Sequence, residues 1–152
     1  MTELDAGEST ELGPVRVTAT PAQHKIPEVT FVLESAGRRV FFGADTMHIP
    51  ELDDIASTFG PIDLVLLPIN GLTIRPLMNK QVVMNAVQAA ELTRALNPHL
   101  AVPIHYAFTG GPIREKLLLK KDPRPETYVD AAAALAPDTT VHVLEPGRAL
   151  DV

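Results

Sequence analysis

The sequence contains no cysteine and no tryptophan. Without cysteine there is no disulfide, no thiolate nucleophile and no sulfur-ligated zinc, so any metal must be held by His, Asp or Glu. Aromatic residues make up only 5% of the chain, which leaves little for a stacking platform that would bind bases or sugars. No apolar run reaches the ~18 residues that a membrane-spanning helix requires. The first residues, Met1-Thr2-Glu3-Leu4-Asp5, are acidic and lack the basic segment and apolar stretch of a signal peptide, so the expected compartment is the cytoplasm. Basic residues are outnumbered, 13 Lys and Arg against 19 Asp and Glu, for a formal charge of -6. Nucleic acid is therefore not expected as a partner, because phosphate contacts need a basic surface. A small-molecule substrate, including an anionic one met by a local basic patch, remains compatible. Neither a Walker-type loop nor G-x-G-x-x-G occurs, which removes nucleotide sites of those kinds.

What is present fits one domain of 152 residues, 45% hydrophobic, with a mean hydropathy of +0.10. Residues 2–13 read as loose chain or an edge strand. Val15, Val17 and Ala19 alternate with Arg16, Thr18 and Thr20, the period of a half-buried strand. Val29-Phe31-Leu33 and Arg39-Val40-Phe41-Phe42 flank a turn near Gly37 and predict a hairpin. Leu52, Ile55, Ala56 and Phe59 share one helical face between Pro50 and Gly60-Pro61. Ile62 to Ile69 is nearly all apolar, a strand covered on both faces.

The spacing next predicts a helix from about Lys80 to Leu96, burying Val83, Ala86, Val87, Ala90 and Thr93 or Leu96, with Asn97-Pro98 as its end. Leu100 to Ile104 is a short buried strand, and residues 109–125 a long loop. A helix over Glu126–Leu135 and a strand over Val141–Leu144 complete the chain. Strands first and strand-helix alternation afterwards predict an α/β (α+β layered) domain with a mixed sheet and covering helices.

Three residues share one position type: His24, Asp45 and His105 each stand just past a predicted strand. Layered sheets build their sites at strand ends, where side chains from distant segments converge. Two imidazoles and a carboxylate also suit zinc or a similar divalent ion. Each has a purely structural reading as well. His24 fits a loop histidine, Asp45 a cap for the following turn, and His105 a polar partner of Tyr106. The coincidence of all three favours the metal reading.

Their local sequences carry a resemblance. Phe42-Gly43-Ala44-Asp45-Thr46 resembles the G-D-T segment of the metallo-β-lactamase superfamily, and Val102-Pro103-Ile104-His105-Tyr106 its last metal motif. Val17-Thr18-Ala19-Thr20-Pro21-Ala22-Gln23-His24 resembles an earlier ligand strand of that family, and Ile62 to Ile69 is similar to its intervening D-L-x-L-L-P-I strand. The resemblance runs from about Leu4 to Glu145 and is nearest to lactonase-like and uncharacterised metal-dependent hydrolases. It implies a metal-dependent hydrolase of an ester, lactone or phosphoester. His24, Asp45 and His105 would be metal ligands, with Asp45 bridging two ions and acting catalytically. The implied cofactor is a divalent metal, zinc by preference and Mn or Fe as alternatives.

The chain departs from the family at one place: it has no H-x-H-x-D-H segment, and its five histidines (His24, His48, His99, His105 and His142) are too dispersed to make one. The expectation is thus the C-terminal half of a metallo-β-lactamase αββα sandwich, a single incomplete domain over residues 1–152. A truncated chain, a misplaced start or a split gene would explain it. Each ion would keep two ligands from this half, fewer than the three or four usual for zinc, so weak metal binding and negligible turnover are expected for the chain alone.

Two other readings stay open. One is a non-catalytic remnant that binds a partner, its missing half or a second copy through an uncovered sheet face. The other is an unrelated α/β binding domain in which His24, Asp45 and His105 lie more than about 10 Å apart. Among weaker candidates, His48 could line the crevice but fits a surface position, while His99 and His142 are expected to be exposed. Arg114, Lys116, Lys120, Lys121 and Arg124 form either a solvated loop or an anion-binding lid. Asn70-Gly71 and Met78-Asn79 fit turns or packing, or the border of a pocket.

Overall fold

The structure is a computed structural model and describes residues 3–107, 109, 111, 117–122, 124–145 and 147–150. The expected alternation after Pro14 becomes an antiparallel meander of four strands: β1 (Ser9–Leu12), β2 (Val15–Pro21), β3 (Val29–Ser35) and β4 (Arg38–Phe42). The β3–β4 turn is Ala36-Gly37, with φ values of 49° and 77°. Two positive φ values give the tight hairpin turn whose twist matches the flanking strands, and Gly37 adopts it without strain.

Two short helices follow, α1 (Pro50–Asp53) and α2 (Ile55–Phe59), in place of one helix across both. Strand β5 (Leu64–Pro68) then enters the sheet parallel to β4. Asp63 secures this junction, accepting from the Arg39 backbone N–H and from the Arg38 guanidinium, each at 2.8 Å.

The segment before the long helix differs from the expectation. Thr73–Ile74 (β6) and Lys80–Gln81 (β7) form a small separate sheet with Leu119–Lys120 (β9), and a 3-10 turn spans Arg75–Leu77. Helix α3 begins only at Ala86 and runs to Leu96. The Asn85 side chain accepts from the backbone N–H groups of Val87 and Gln88, and the Gln88 side chain accepts from the Asn85 N–H. That reciprocal capping box starts the helix where apolar spacing alone did not. In consequence Val83 is buried ahead of the helix, whereas Val87 is half exposed on it. Asn97, in the left-handed conformation, ends it.

Strand β8 (Leu100–Ile104) lies parallel to β5, helix α4 (Pro125–Leu135) follows, and β10 (Thr140–Val141) closes the sheet. The last strand is shorter than the expected Val141–Leu144, although the His142 N–H still bonds to the Ala101 carbonyl at 2.9 Å. The large sheet has the order β1-β2-β3-β4-β5-β8-β10 and is mixed. The helices cover the face presented by Val32, Phe41, Val65, Leu67 and Ala101, which pack with Leu52, Ile55, Leu92, Leu96 and Tyr128 into one core. Truncating a side chain such as Leu92 to alanine costs about 2–5 kcal/mol in a core of this kind.

The other face carries the alternate residues of the same strands. Val17, Leu33, Val40 and Leu64 form one cross-strand row, and Ala19, Phe31, Phe42, Leu66 and Val102 the next. No described helix lies over these rows, and a groove of about 410 Å³ runs between Leu4, Leu12, Phe31, Leu33 and Phe42. A sheet apolar on both sides is the sequence pattern of a middle layer. No described helix is long and apolar enough to cross a membrane.

Candidate functional site

Strand direction decides where the candidate residues meet. β2 and β4 are both antiparallel to β3 and therefore run the same way, while β5 and β8 are parallel to β4. The carboxyl ends of β2, β4, β5 and β8 thus share one edge of the sheet. His24, Asp45, Asn70 and His105 lie just beyond those four ends, the place where layered α/β sheets gather functional groups.

The loops are tied together residue by residue. Thr46 is fully buried, and its hydroxyl accepts from the Gln23 N–H at 2.8 Å while donating to the Met47 carbonyl at 2.9 Å. The Met47 N–H returns a bond to the Gln23 carbonyl, and the Met84 N–H bonds to the Thr46 carbonyl. Residues adjoining His24 and Asp45 are therefore laced directly to each other. Gly43 lets β4 end tight against β5: its N–H bonds to the Leu66 carbonyl at 2.8 Å, and a Cβ there would stand 3.1 Å from Leu66 O, Leu67 Cδ2 and Pro68 Cδ.

The three candidates are held in different ways. His24 Nδ1 lies 2.7 Å from the Val82 carbonyl. A carbonyl only accepts, so Nδ1 carries the proton and, in the neutral ring, Nε2 carries the lone pair. His105 Nε2 lies 3.5 Å from Asp45 Oδ1, so these two side chains meet across the edge. His105 has a φ of +62°, unusual for a side chain of its size, and its carbonyl accepts from the Asn70 amide at 2.9 Å. The same amide nitrogen lies 3.1 Å from His105 Nδ1.

Among the described residues no group of three or more His, Asp or Glu side chains stands close enough to hold an ion. The chemistry of the donors fits a divalent metal in part. His24 has the arrangement of a ligating imidazole, its second nitrogen donated to a backbone carbonyl, and the half-exposed Asp45 carboxylate is a hard oxygen donor. His105 does not yet fit, because its second nitrogen faces a donor.

The remaining candidates separate from this edge. His48 is partly buried and packs between α1 and α3, with Nε2 2.8 Å from Asp53 and Nδ1 3.8 Å from Glu91. His99 is exposed and His142 is half-buried, against the expectation of exposure for the latter. Arg124 pairs with Asp122 at 2.8 Å, which occupies one cation of the proposed lid; Arg114 and Lys116 lie outside the described residues. Met78 is 96% exposed, and Met78 and Asn79 both adopt positive φ, as a turn requires. Asn70, fully buried at the end of β5, has more contact with the site than its Asn-Gly turn signature implied. A polar residue directly after a continuous apolar strand was the available signal.

The profile of the beta-lactamase superfamily domain matches residues 1–106. The chain belongs to the beta-lactamase superfamily. Within the superfamily it is similar to a UPF0173 metal-dependent hydrolase of Thermococcus onnurineus, 29% identical over 105 residues that make up 64% of this chain and 43% of that protein. A UPF0173 metal-dependent hydrolase of Pyrococcus furiosus is 25% identical over 151 residues, 94% of this chain and 58% of that one. The chain spans about half the length of the curated relatives it matches. Among solved structures, Igni18, a metallo hydrolase from Ignicoccus hospitalis, superposes with a TM-score of 0.70 at 23% identity over 97% of this chain and 58% of that chain. The metallo-beta-lactamase fold protein YhfI from Bacillus subtilis gives 0.71 at 12% identity, over 95% of this chain and 52% of that chain. CmlA, a diiron beta-hydroxylase from Streptomyces venezuelae, also gives 0.71, at 19% identity over 94% and 33% of the two chains. These likenesses establish the metallo-β-lactamase fold.

Proposed function

We propose that this chain supplies the C-terminal half of the site of a metal-dependent hydrolase, with His24, Asp45 and His105 as its contribution to one or two divalent ions. What supports the proposal is that these residues follow β2, β4 and β8, whose carboxyl ends share one edge of the sheet, and that His105 Nε2 lies 3.5 Å from Asp45 Oδ1. Relatives named as metal-dependent hydrolases support the class of reaction. A bound divalent ion supplies Lewis acidity, lowering the pKa of water towards about 7 and polarising an ester, lactone or phosphoester. His24 offers Nε2 to such an ion while Val82 holds the ring, and Asp45 offers its carboxylate 3.5 Å from His105 Nε2. Zinc suits this donor set, and Mn or Fe suit it too. The other ligands come from outside this chain in this reading, and the substrate is a small molecule.

The test is zinc titration of the chain alone and of the chain mixed with a polypeptide carrying H-x-H-x-D-H from a relative. The chain alone binds weakly, and the mixture binds at least tenfold more tightly and hydrolyses a panel of lactones and phosphodiesters. Tight stoichiometric zinc on the chain alone, or zinc affinity unmoved by His24→Ala and Asp45→Ala, would overturn the proposal.

A second reading rests on the sheet face over which no described helix lies: the chain acts as a binding or dimerisation module without catalysis. Its apolar rows and groove favour burial against another sheet. Sedimentation separates the readings, since this one requires Phe42→Asp to dissociate an assembly that His24→Ala leaves whole.

A further inference from the structure

The amide of Asn70 has one possible orientation. Its Oδ1 accepts from the Leu72 N–H at 3.1 Å, and a backbone N–H can only donate. Its Nδ2 lies 2.9 Å from the His105 carbonyl, which can only accept. Exchanging the oxygen and nitrogen would set N–H against N–H at one end and oxygen against oxygen at the other, inside a fully buried residue. The nitrogen that faces His105 Nδ1 at 3.1 Å is therefore a donor, and Nδ1 must accept.

We infer that Asn70 is a positioning residue that sets the tautomer of His105, placing the ring proton on Nε2, the nitrogen on the Asp45 side of the ring. This rests on the site proposed above and deepens it. His24 has its proton on Nδ1, towards Val82, and offers Nε2 to an ion as it stands. His105 is in the opposite state, with the nitrogen nearest Asp45 protonated and 3.5 Å from Oδ1. Before His105 can ligate through Nε2, that proton must leave and one must arrive on Nδ1, with no change in the charge of the ring. The Nδ1 proton would then face the Asn70 amide hydrogens, so the amide must turn away from both of its fixed partners. Ligating histidines ordinarily donate the second nitrogen to an acceptor, and Asn70 withholds one. His105 thus carries its proton on the nitrogen 3.5 Å from Asp45 Oδ1 in the metal-free chain, and joining an ion requires Asn70 to yield.

The experiment is a long-range proton–nitrogen correlation of the histidine rings in the uniformly 15N-labelled, metal-free chain at about pH 8, above the ordinary histidine value near 6.5. The His105 signals are assigned by their loss in His105→Gln. The expected spectrum shows a protonated Nε2 and a bare Nδ1 for His105, and the reverse for His24. Asn70→Asp replaces the donor by an acceptor: the His105 tautomer reverses, and zinc affinity of the chain rises about tenfold or more. A bare Nε2 on His105 in the wild-type chain overturns the inference, whether or not Asn70→Asp folds. So does a rise in zinc affinity with the tautomer unchanged, which is the signature of added negative charge alone. If the tautomer is as expected and zinc never binds, the hydrolase proposal fails and the role of Asn70 stands.

Discussion

Thr46 is the rivet between the segment that carries His24 and the segment that carries Asp45, and replacing it isolates that role. Thr46→Val keeps the shape of a fully buried side chain but removes two hydrogen bonds, from the Gln23 N–H at 2.8 Å and to the Met47 carbonyl at 2.9 Å. At about 1 kcal/mol for each bond, softened because Gln23 is an exposed residue that water can reach, the loss is about 1–2 kcal/mol. Thr46→Ser keeps both bonds and removes one buried methyl, about 1 kcal/mol. Urea denaturation gives both totals, which lie close together, so the discriminating measurement is local. The Gln23 amide should exchange roughly five-fold or more faster in Thr46→Val, the factor that corresponds to about 1 kcal/mol, and at the wild-type rate in Thr46→Ser once global stability is allowed for. Equal protection of that amide in the wild type and in Thr46→Val would refute the reasoning, because the hydroxyl would then not be what holds the two segments together.

Gly43→Ala forces three contacts at 3.1 Å to give way; an expected 1–3 kcal/mol loss in urea melts should come with weaker zinc binding, since Asp45 is two residues on. Tyr128 and Thr93 join α4 to α3 at 2.7 Å, and because the Thr93 hydroxyl already donates to the Ala89 carbonyl, Tyr128 is the donor between them. Thr93→Val, which strands a buried phenol, should cost about 1–3 kcal/mol, and Tyr128→Phe only about 1 kcal/mol; the opposite order in melts would contradict the assignment. Burial pushes the Tyr128 phenol up from 10.0 to about 12, so its neutral form stabilises the fold fully below pH 10. That stability is lost as pH rises towards 12, a loss that Tyr128→Phe should abolish in melts across this range. The Arg39 backbone N–H, and then the Arg38 guanidinium, hold the Asp63 carboxyl below its ordinary 3.8. Its contribution is present above that value and is lost as pH falls through the folded one, so Asp63→Asn should be less stable than the wild type at pH 7 and indistinguishable from it in strong acid.

Much of this architecture was legible in the residue pattern because burial imposes period on sequence. The alternation of Val15 to Thr20 became a strand, the hairpin around Gly37 formed, and the nearly continuous apolar run from Ile62 to Ile69 became the strand Leu64–Pro68. The start of α3 did not follow from period, because Val83 and Val87 continue a helical spacing that the Asn85 capping box overrides. The small sheet of β6, β7 and β9 was hidden for another reason: two-residue strands are too short to show alternation, and β9 pairs from more than forty residues away along the chain.

For the site, composition and motif nominate His24, Asp45 and His105 as candidates, since without cysteine a metal has only His and carboxylate donors to choose from. Order along the chain also placed each of them after a strand. What the linear chain could not settle was strand direction, and with it whether three strand ends fall on one edge or on opposite edges. That depends on pairing between distant segments. The tautomer of His105 depends on still finer matters: a buried amide 35 residues away, oriented by one backbone N–H and one carbonyl. Sequence carries the identity of a donor or acceptor, and only folded contact gives it a direction.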